Sequence, residues 1–253
     1  MTPFAEGALL RAARTAPAID VDALAAGGVL VLAPHPDDET LGCGAALAAA
    51  VAAGHAVHVI AATEGDGSHP GSTSWPRARL AARRAEELAA ALAVLGGGRV
   101  THERLGCADQ GMPEPDGASG HELLERLLAR VLQHRPACVW TTWEGDPHID
   151  HRACAALAHA LTAAAQAEGH ALTLWRFPVW GRFVEFDATE AADGLVRFEP
   201  DSVLKALKAR ALACHVTQMT SVIDDDPSGF VMPSRMQAHF VEHAELFLRQ
   251  RDR

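Results

Sequence analysis

The stretch Val29-Leu30-Val31-Leu32-Ala33-Pro34-His35-Pro36-Asp37-Asp38-Glu39-Thr40 carries the first clue to both fold and chemistry. Its first five residues are apolar without interruption. A continuous run of this length suits a strand buried on both faces of a parallel sheet, where an alternating pattern would mark a half-exposed strand. Gly27-Gly28 breaks the chain before it and Pro34 ends it. A helix is expected from Thr40 to Ala53, closed by Gly54, and a second buried strand over Ala56 to Ala62.

Outward from this unit the alternation repeats. Helices are expected over Arg77 to Leu95, His121 to His134, His151 to Ala167 and Ser202 to His215. Strands are expected over Val100 to Leu105, Ala137 to Thr142, Leu172 to Trp180 and Gly194 to Phe198. Residues 1–26 read as an amphipathic helical lead-in with Leu9, Leu10 and Ala13 on one side. Strands alternating with helices imply right-handed crossovers, hence an α/β, Rossmann-like, mostly parallel sheet flanked by helices. No repeat or linker divides the chain, so residues 1–253 are expected to form a single domain. The segments 63–76, 106–120 and 178–194 read as loops, where specificity usually lies.

Composition narrows the function classes. Net charge is −10, from 32 acidic against 22 Lys and Arg residues, which argues against a nucleic-acid partner. No stretch reaches the ~18 apolar residues of a membrane helix, so no transmembrane segment is expected. The five cysteines are scattered, odd in number and form no Cys-x-x-Cys, which favours a cytoplasmic setting. The sequence contains no tyrosine.

In this architecture ligands bind beyond the carboxyl ends of the strands. His35 to Glu39 places one imidazole and three carboxylates there within five residues. Taken alone, Asp37 and Asp38 read equally well as acids at the start of a helix. A second motif, Asp146-Pro147-His148-Ile149-Asp150-His151, also leaves an expected buried strand and opens a helix. Parallel strands bring both motifs to one sheet edge, so His35, Asp38, His148, Asp150 and His151 can converge. Two histidines and a carboxylate with an open position form a catalytic zinc set, and the same donors suit iron(II). Asp37 can act as base, and His148 as acid or stabiliser of developing charge. Asp150 can orient His148 or a ligand histidine, and Asp146 is either a supporting carboxylate or a turn residue before Pro147.

Together these motifs resemble the LmbE-like, or PIG-L, family of N-acetylglucosaminyl deacetylases. The family's first motif appears as His35 to Glu39 and its second as His148 to His151. Weaker marks are Thr63 to Gly67, Arg84 with Glu87, Leu95-Gly96, Lys208, and His215 to Gln218 with Thr217 in place of serine. The resemblance implies a zinc-dependent deacetylase acting on a small-molecule or glycan amino sugar. It implies His35, Asp38 and His151 as metal ligands, Asp37 as base and His148 as acid. It also places Arg84 and Asp109 at sugar hydroxyls; otherwise Arg84 is an exposed helix partner of Glu87 and Asp109 an ordinary loop acid. Some relatives use a tyrosine just before the second motif, and here Asp146 occupies that neighbourhood. Trp143 and Trp75 are candidates for stacking on a sugar, and Ser68, His69, Ser72 and Ser74 for substrate contact. Two other functions compete: a metal-dependent hydrolase of a non-sugar amide or ester, and a non-catalytic nucleotide or metal-binding module. The latter lacks a Gly-x-Gly-x-x-Gly after the first strand. The sequence is compatible with a homo-oligomer.

Overall fold

The computed structural model describes residues 6–186 and 194–250. Its elements in chain order are α1 (Ala8–Ala13), α2 (Val21–Leu24), β1 (Val29–Ala33), α3 (Asp38–Ala52), β2 (Val57–Thr63), α4 (Arg77–Gly96), β3 (Thr101–Cys107) and α5 (Ala118–His134). They continue with β4 (Cys138–Thr142), α6 (Ile149–Ala167), β5 (Thr173–Phe177), a 3-10 turn (Trp180–Phe183), β6 (Leu195–Phe198), α7 (Ser202–Leu212), α8 (Val216–Met219), α9 (Ser234–Glu242) and β7 (Glu245–Arg249).

The seven strands form one sheet in the order β3-β2-β1-β4-β5-β7-β6. Strands β1 to β5 pair in parallel, and β7 runs antiparallel to both of its neighbours. The sheet is therefore Rossmann-like and mostly parallel. Side chains alternate across it as the two-residue period of a strand requires. Val29, Val31, Val57 and Val59 enter a core with α3, α4 and α7, including Leu47, Leu88 and Leu92. Leu30, Leu32 and Ile60 enter the opposite core with Leu127, Leu157 and Leu161 of α5 and α6. All residues of β1, β2 and β4 are buried, as continuous apolar runs predict.

Element boundaries differ in informative places. The helix expected from His121 begins at Ala118, inside the expected loop 106–120. The strand expected to reach Trp180 stops at Phe177, because Pro178 has no amide for the ladder, and a 3-10 turn follows. The lead-in divides into α1 and α2, and its first five residues lie outside the described residues. Within the expected loop 178–194, residues 187–193 also lie outside them. Strand β7 and helix α9 have no counterpart among the expected elements: β7 inserts antiparallel between strands distant in sequence, a pairing that no local pattern announces.

The chain leaves β1 towards β2 and β3, then returns to lay β4 on the other side of β1. Helices on either side diverge at such a reversal and open a crevice beyond the strand ends. Both histidine motifs emerge there.

Candidate metal centre

His35 follows β1, α3 begins at Asp38, and α6 begins just after His148. Asp38 Oδ2 lies 3.0 Å from His35 Nδ1 and also accepts from the His35 backbone amide at 3.0 Å. The same oxygen is 3.2 Å from His151 Nε2. One carboxylate oxygen thus stands between two imidazoles delivered by neighbouring strands.

Each of these rings has a further carboxylate on its other nitrogen. Asp150 Oδ2 lies 3.1 Å from His35 Nε2 and accepts the Gln110 amide at 2.7 Å. Asp146 Oδ1 lies 3.2 Å from His151 Nδ1, while its Oδ2 accepts the amides of Val179 at 3.0 Å and Gly181 at 2.9 Å. Carboxylates behind ligand histidines commonly fix ring orientation and tautomer. The side chain of Asp150 therefore backs His35, and Asp146 is buried behind His151 instead of merely turning the chain before Pro147. Asp109 Oδ1 adds a third carboxylate, 3.3 Å from His35 Nε2.

Asp37 sits beside this group with φ at 148°, a strained value for a residue with a side chain. Its amide donates to Glu39 Oε2 at 3.0 Å. Its Oδ2 lies 3.1 Å from Arg84 Nη2. Arg84 is buried and donates to Pro36 O at 2.7 Å and to Gly65 O at 2.8 Å. It is not the exposed partner of Glu87, whose carboxylate instead meets Arg83 and the amide and hydroxyl of Thr217.

His148 caps α6: its Nδ1 accepts the Asp150 amide at 3.2 Å. Because Nδ1 is an acceptor, a neutral ring carries its proton on Nε2. Burial, and then the neighbouring His35 and His151, lower its pKa and favour that neutral form.

The buried charges are balanced against one another. Burial pushes the Asp37 carboxyl up to about 6, against the opposing pull of Arg84. Burial opposes protonation of His151, yet Asp38 and Asp146 raise its pKa to about 9. Burial likewise opposes charge on His35, but Asp109, Asp150 and Asp38 raise it well above the ordinary histidine value. Burial works against an ionised Asp38 too, and His151 with His35 overcomes it, holding the carboxyl well below the usual range.

The set fits a divalent metal. Ligand atoms of His35, His148 and His151 lie within 4.8 Å of one another, as do those of His35, Asp109, His148 and Asp150. His151 is fully buried, and neither ring nitrogen has a hydrogen bond of normal geometry although carboxylates lie 3.2 Å away. An imidazole in that position is short of a partner that a cation would supply.

A cavity of about 590 Å³ opens onto these groups. His35, Asp37, Asp38, Arg84, Asp109 and His148 form its polar edge, while Leu41, Pro70, Pro147, Trp180 and Phe230 supply apolar wall. Trp180 and Phe230 meet edge to face at 5.7 Å. Neither tryptophan singled out from the sequence lines the cavity: Trp143 is buried against Phe186, and Trp75 lies under the Arg79 guanidinium. Ser68 does line it, whereas His69 is buried outside it and Ser72 and Ser74 bind Asp225. Of the two wall aromatics, Trp180 falls within the expected specificity loop 178–194, whereas Phe230 stands in no motif and follows the last expected element.

A family model described as PIG-L, GlcNAc-PI de-N-acetylase, matches residues 30–162. Among solved structures, the chain is similar to N,N'-diacetylchitobiose deacetylase from Pyrococcus horikoshii. That match has a TM-score of 0.65 and 18% identity, over 88% of this chain and 84% of the other. The conserved protein TT1542 from Thermus thermophilus matches with a TM-score of 0.60 and 26% identity, over 87% and 93% of the two chains. GalB, the 4-carboxy-2-hydroxymuconate hydratase from Pseudomonas putida, matches with a TM-score of 0.63 and 19% identity, over 89% and 97%.

Proposed function

The chain belongs to the PIG-L family, and from that premise we propose that it is a zinc-dependent N-deacetylase of an acetamido sugar, whether free, in a glycan or in a glycoside. The observation that carries this reading is the placement of Asp38 Oδ2 between the rings of His35 and His151 at the strand reversal, with Asp37 and His148 beside them at the edge of one cavity. A hydratase shares the fold, so the fold alone does not determine the chemistry and the residues of the site do.

A divalent ion held by His35, Asp38 and His151 would supply a Lewis acid that polarises the amide carbonyl and acidifies water. Asp37 takes the proton of the attacking water and returns it to the amide nitrogen as the C–N bond breaks, so that acetate and the free amine leave. Arg84 keeps the Asp37 carboxylate ionised and aimed, since guanidinium and carboxylate are 3.1 Å apart in a buried setting. His148 offers Nε2–H to the carbonyl oxygen as negative charge develops there. This is the donor role for which the chain has no tyrosine. Asp109 faces the cavity as an acceptor for a sugar hydroxyl, and Trp180 with Phe230 gives an apolar surface for the ring or its substituent. Most of the Arg84 donors are taken by Pro36, Gly65 and Asp37, so its contribution to sugar binding is secondary to holding Asp37. Two imidazoles and a carboxylate also accept iron(II).

The test is a panel of N-acetylated amino sugars, their glycosides and non-sugar acetamides, incubated with zinc-loaded protein and assayed for free amine. Release from the amino sugars supports the proposal. Release from the non-sugar amides alone rejects the sugar substrate, and no release from any member rejects the amidase.

A further inference from the structure

Helix α3 carries Asp38 as its first residue and is broken at Cys43, where φ is −142° and ψ is 19°. A break in a helix strands carbonyls before it and amides after it. Here a single buried ion pair serves both sets. Lys208 Nζ donates to Leu41 O at 2.8 Å and to Glu245 Oε1 at 2.6 Å. Glu245 Oε1 accepts the Ala45 amide and Oε2 the Ala46 amide, each at 2.8 Å. Lys208 and Glu245 are both 0% exposed.

A buried pair of opposite charges is poor evidence of stabilisation, since desolvation offsets much of the attraction. Its geometry shows what it does instead. The lysine covers the last turn before the break and the glutamate caps the first turn after it. The segment before the break, Asp38 to Leu41, directly follows Asp37 and lines the cavity at Asp38 and Leu41. Gly42, between the two segments, lies against Phe177, where a Cβ would come 2.1 Å from the ring. The broken turn is therefore seated on β5 and pinned from α7 and β7. Both charged residues lie outside residues 30–162, the part matched by the family model.

We propose that the Lys208–Glu245 pair is a positioning device that splints the break in α3 and so aims Asp37 and Asp38 at the metal. The inference rests on the metal-site reading above. It makes the C-terminal strand part of the metal centre at one remove, with neither charged residue touching substrate or metal.

The experiment measures zinc affinity by competition with a chromophoric chelator, together with kcat and KM. It compares the wild-type chain, Glu245→Gln, Lys208→Met and Leu127→Ala. Leu127 is buried in the α5–α6 core on the other face of the sheet and serves as a control for general loss of stability. Folding of each variant is verified by circular dichroism at the assay temperature. Glu245→Gln keeps the shape and one acceptor, so it is the decisive variant should Lys208→Met not fold. Both pair variants are expected to weaken zinc binding by about tenfold or more, the scale seen for residues that support metal ligands. They are expected to lower kcat more than they raise KM, while folded Leu127→Ala keeps wild-type affinity. A folded Glu245→Gln chain with wild-type affinity and kcat overturns the inference. So does one that does not fold at all, because the pair would then hold the fold rather than aim one turn. A wild-type chain that takes up no zinc overturns the metal-site reading itself, and the inference with it.

Discussion

Asp37 is held in an unfavourable backbone conformation by two buried contacts, its amide on Glu39 and its carboxylate on Arg84. Strain of this kind costs of order 1–3 kcal/mol and persists only where the surroundings enforce it. Asp37→Ala relieves the burial of a carboxylate without removing a proposed ligand. It is expected to keep its metal and to lose at least about 10²-fold in kcat, the scale of a missing general base. Turnover near wild type would remove Asp37 from that role. Arg84 gives a second prediction with a definite sign. Burial raises the Asp37 pKa to about 6 and Arg84 opposes the rise. With the guanidinium gone, the carboxyl protonates at higher pH, so the base is lost sooner on acidification. The acidic limb of kcat/KM in Arg84→Met should therefore move to higher pH, and an unmoved limb would contradict the assignment.

At the scale of elements, the loop between β2 and α4 is fastened to the segment after α8 by two adjacent carboxylates. Asp225 accepts from the Ser72 hydroxyl at 2.6 Å and from the amides of Thr73 at 2.9 Å and Ser74 at 2.8 Å. Asp226 accepts the Gly71 amide at 2.8 Å. Ser68 of the same loop meets Gln218 and the Phe230 amide, so these contacts hold one rim of the cavity. The hydrogen bond from Ser72, followed by that from Ser74, lowers the Asp225 pKa. A folded-state pKa below the unfolded one means that this contribution is complete above the ordinary carboxyl value of about 4. It is lost as pH falls through the folded value. Hydrogen exchange at Thr73 and Ser74 should accordingly quicken, relative to the core strands, as pH is lowered below that range. Asp225→Asn should show the quick exchange already at neutral pH. Equal protection in the variant would mean that the loop is held by something else. This fastening was not legible in the sequence. Residues 63–76 read as a loop and Asp225 lies beyond the last expected helix, so only the fold brings the two together.

Across the whole molecule, the legible part is the part whose signals are local. The apolar runs of β1 and β4 and the two motifs that leave them stand within a few residues of one another, and parallel pairing brings their ends together. What was not legible depends on contacts between distant segments. The antiparallel β7 enters between β5 and β6, Glu245 reaches back to α3, and Phe230 reaches the cavity from beyond the last expected helix. The proton position on His148 is equally invisible in a sequence, because a backbone amide two residues on determines it. A bound divalent ion is central to the proposed reaction, and a metal titration is its sharpest test. Protein stripped with a chelator is given zinc in steps, while bound metal and acetate release from an N-acetylated amino sugar are followed together. Stripped protein is expected to release almost no acetate, and activity is expected to rise in proportion to bound zinc and level off at one ion per chain. Full activity in the stripped protein, or a stripped chain that binds no ion, would contradict the proposed reaction.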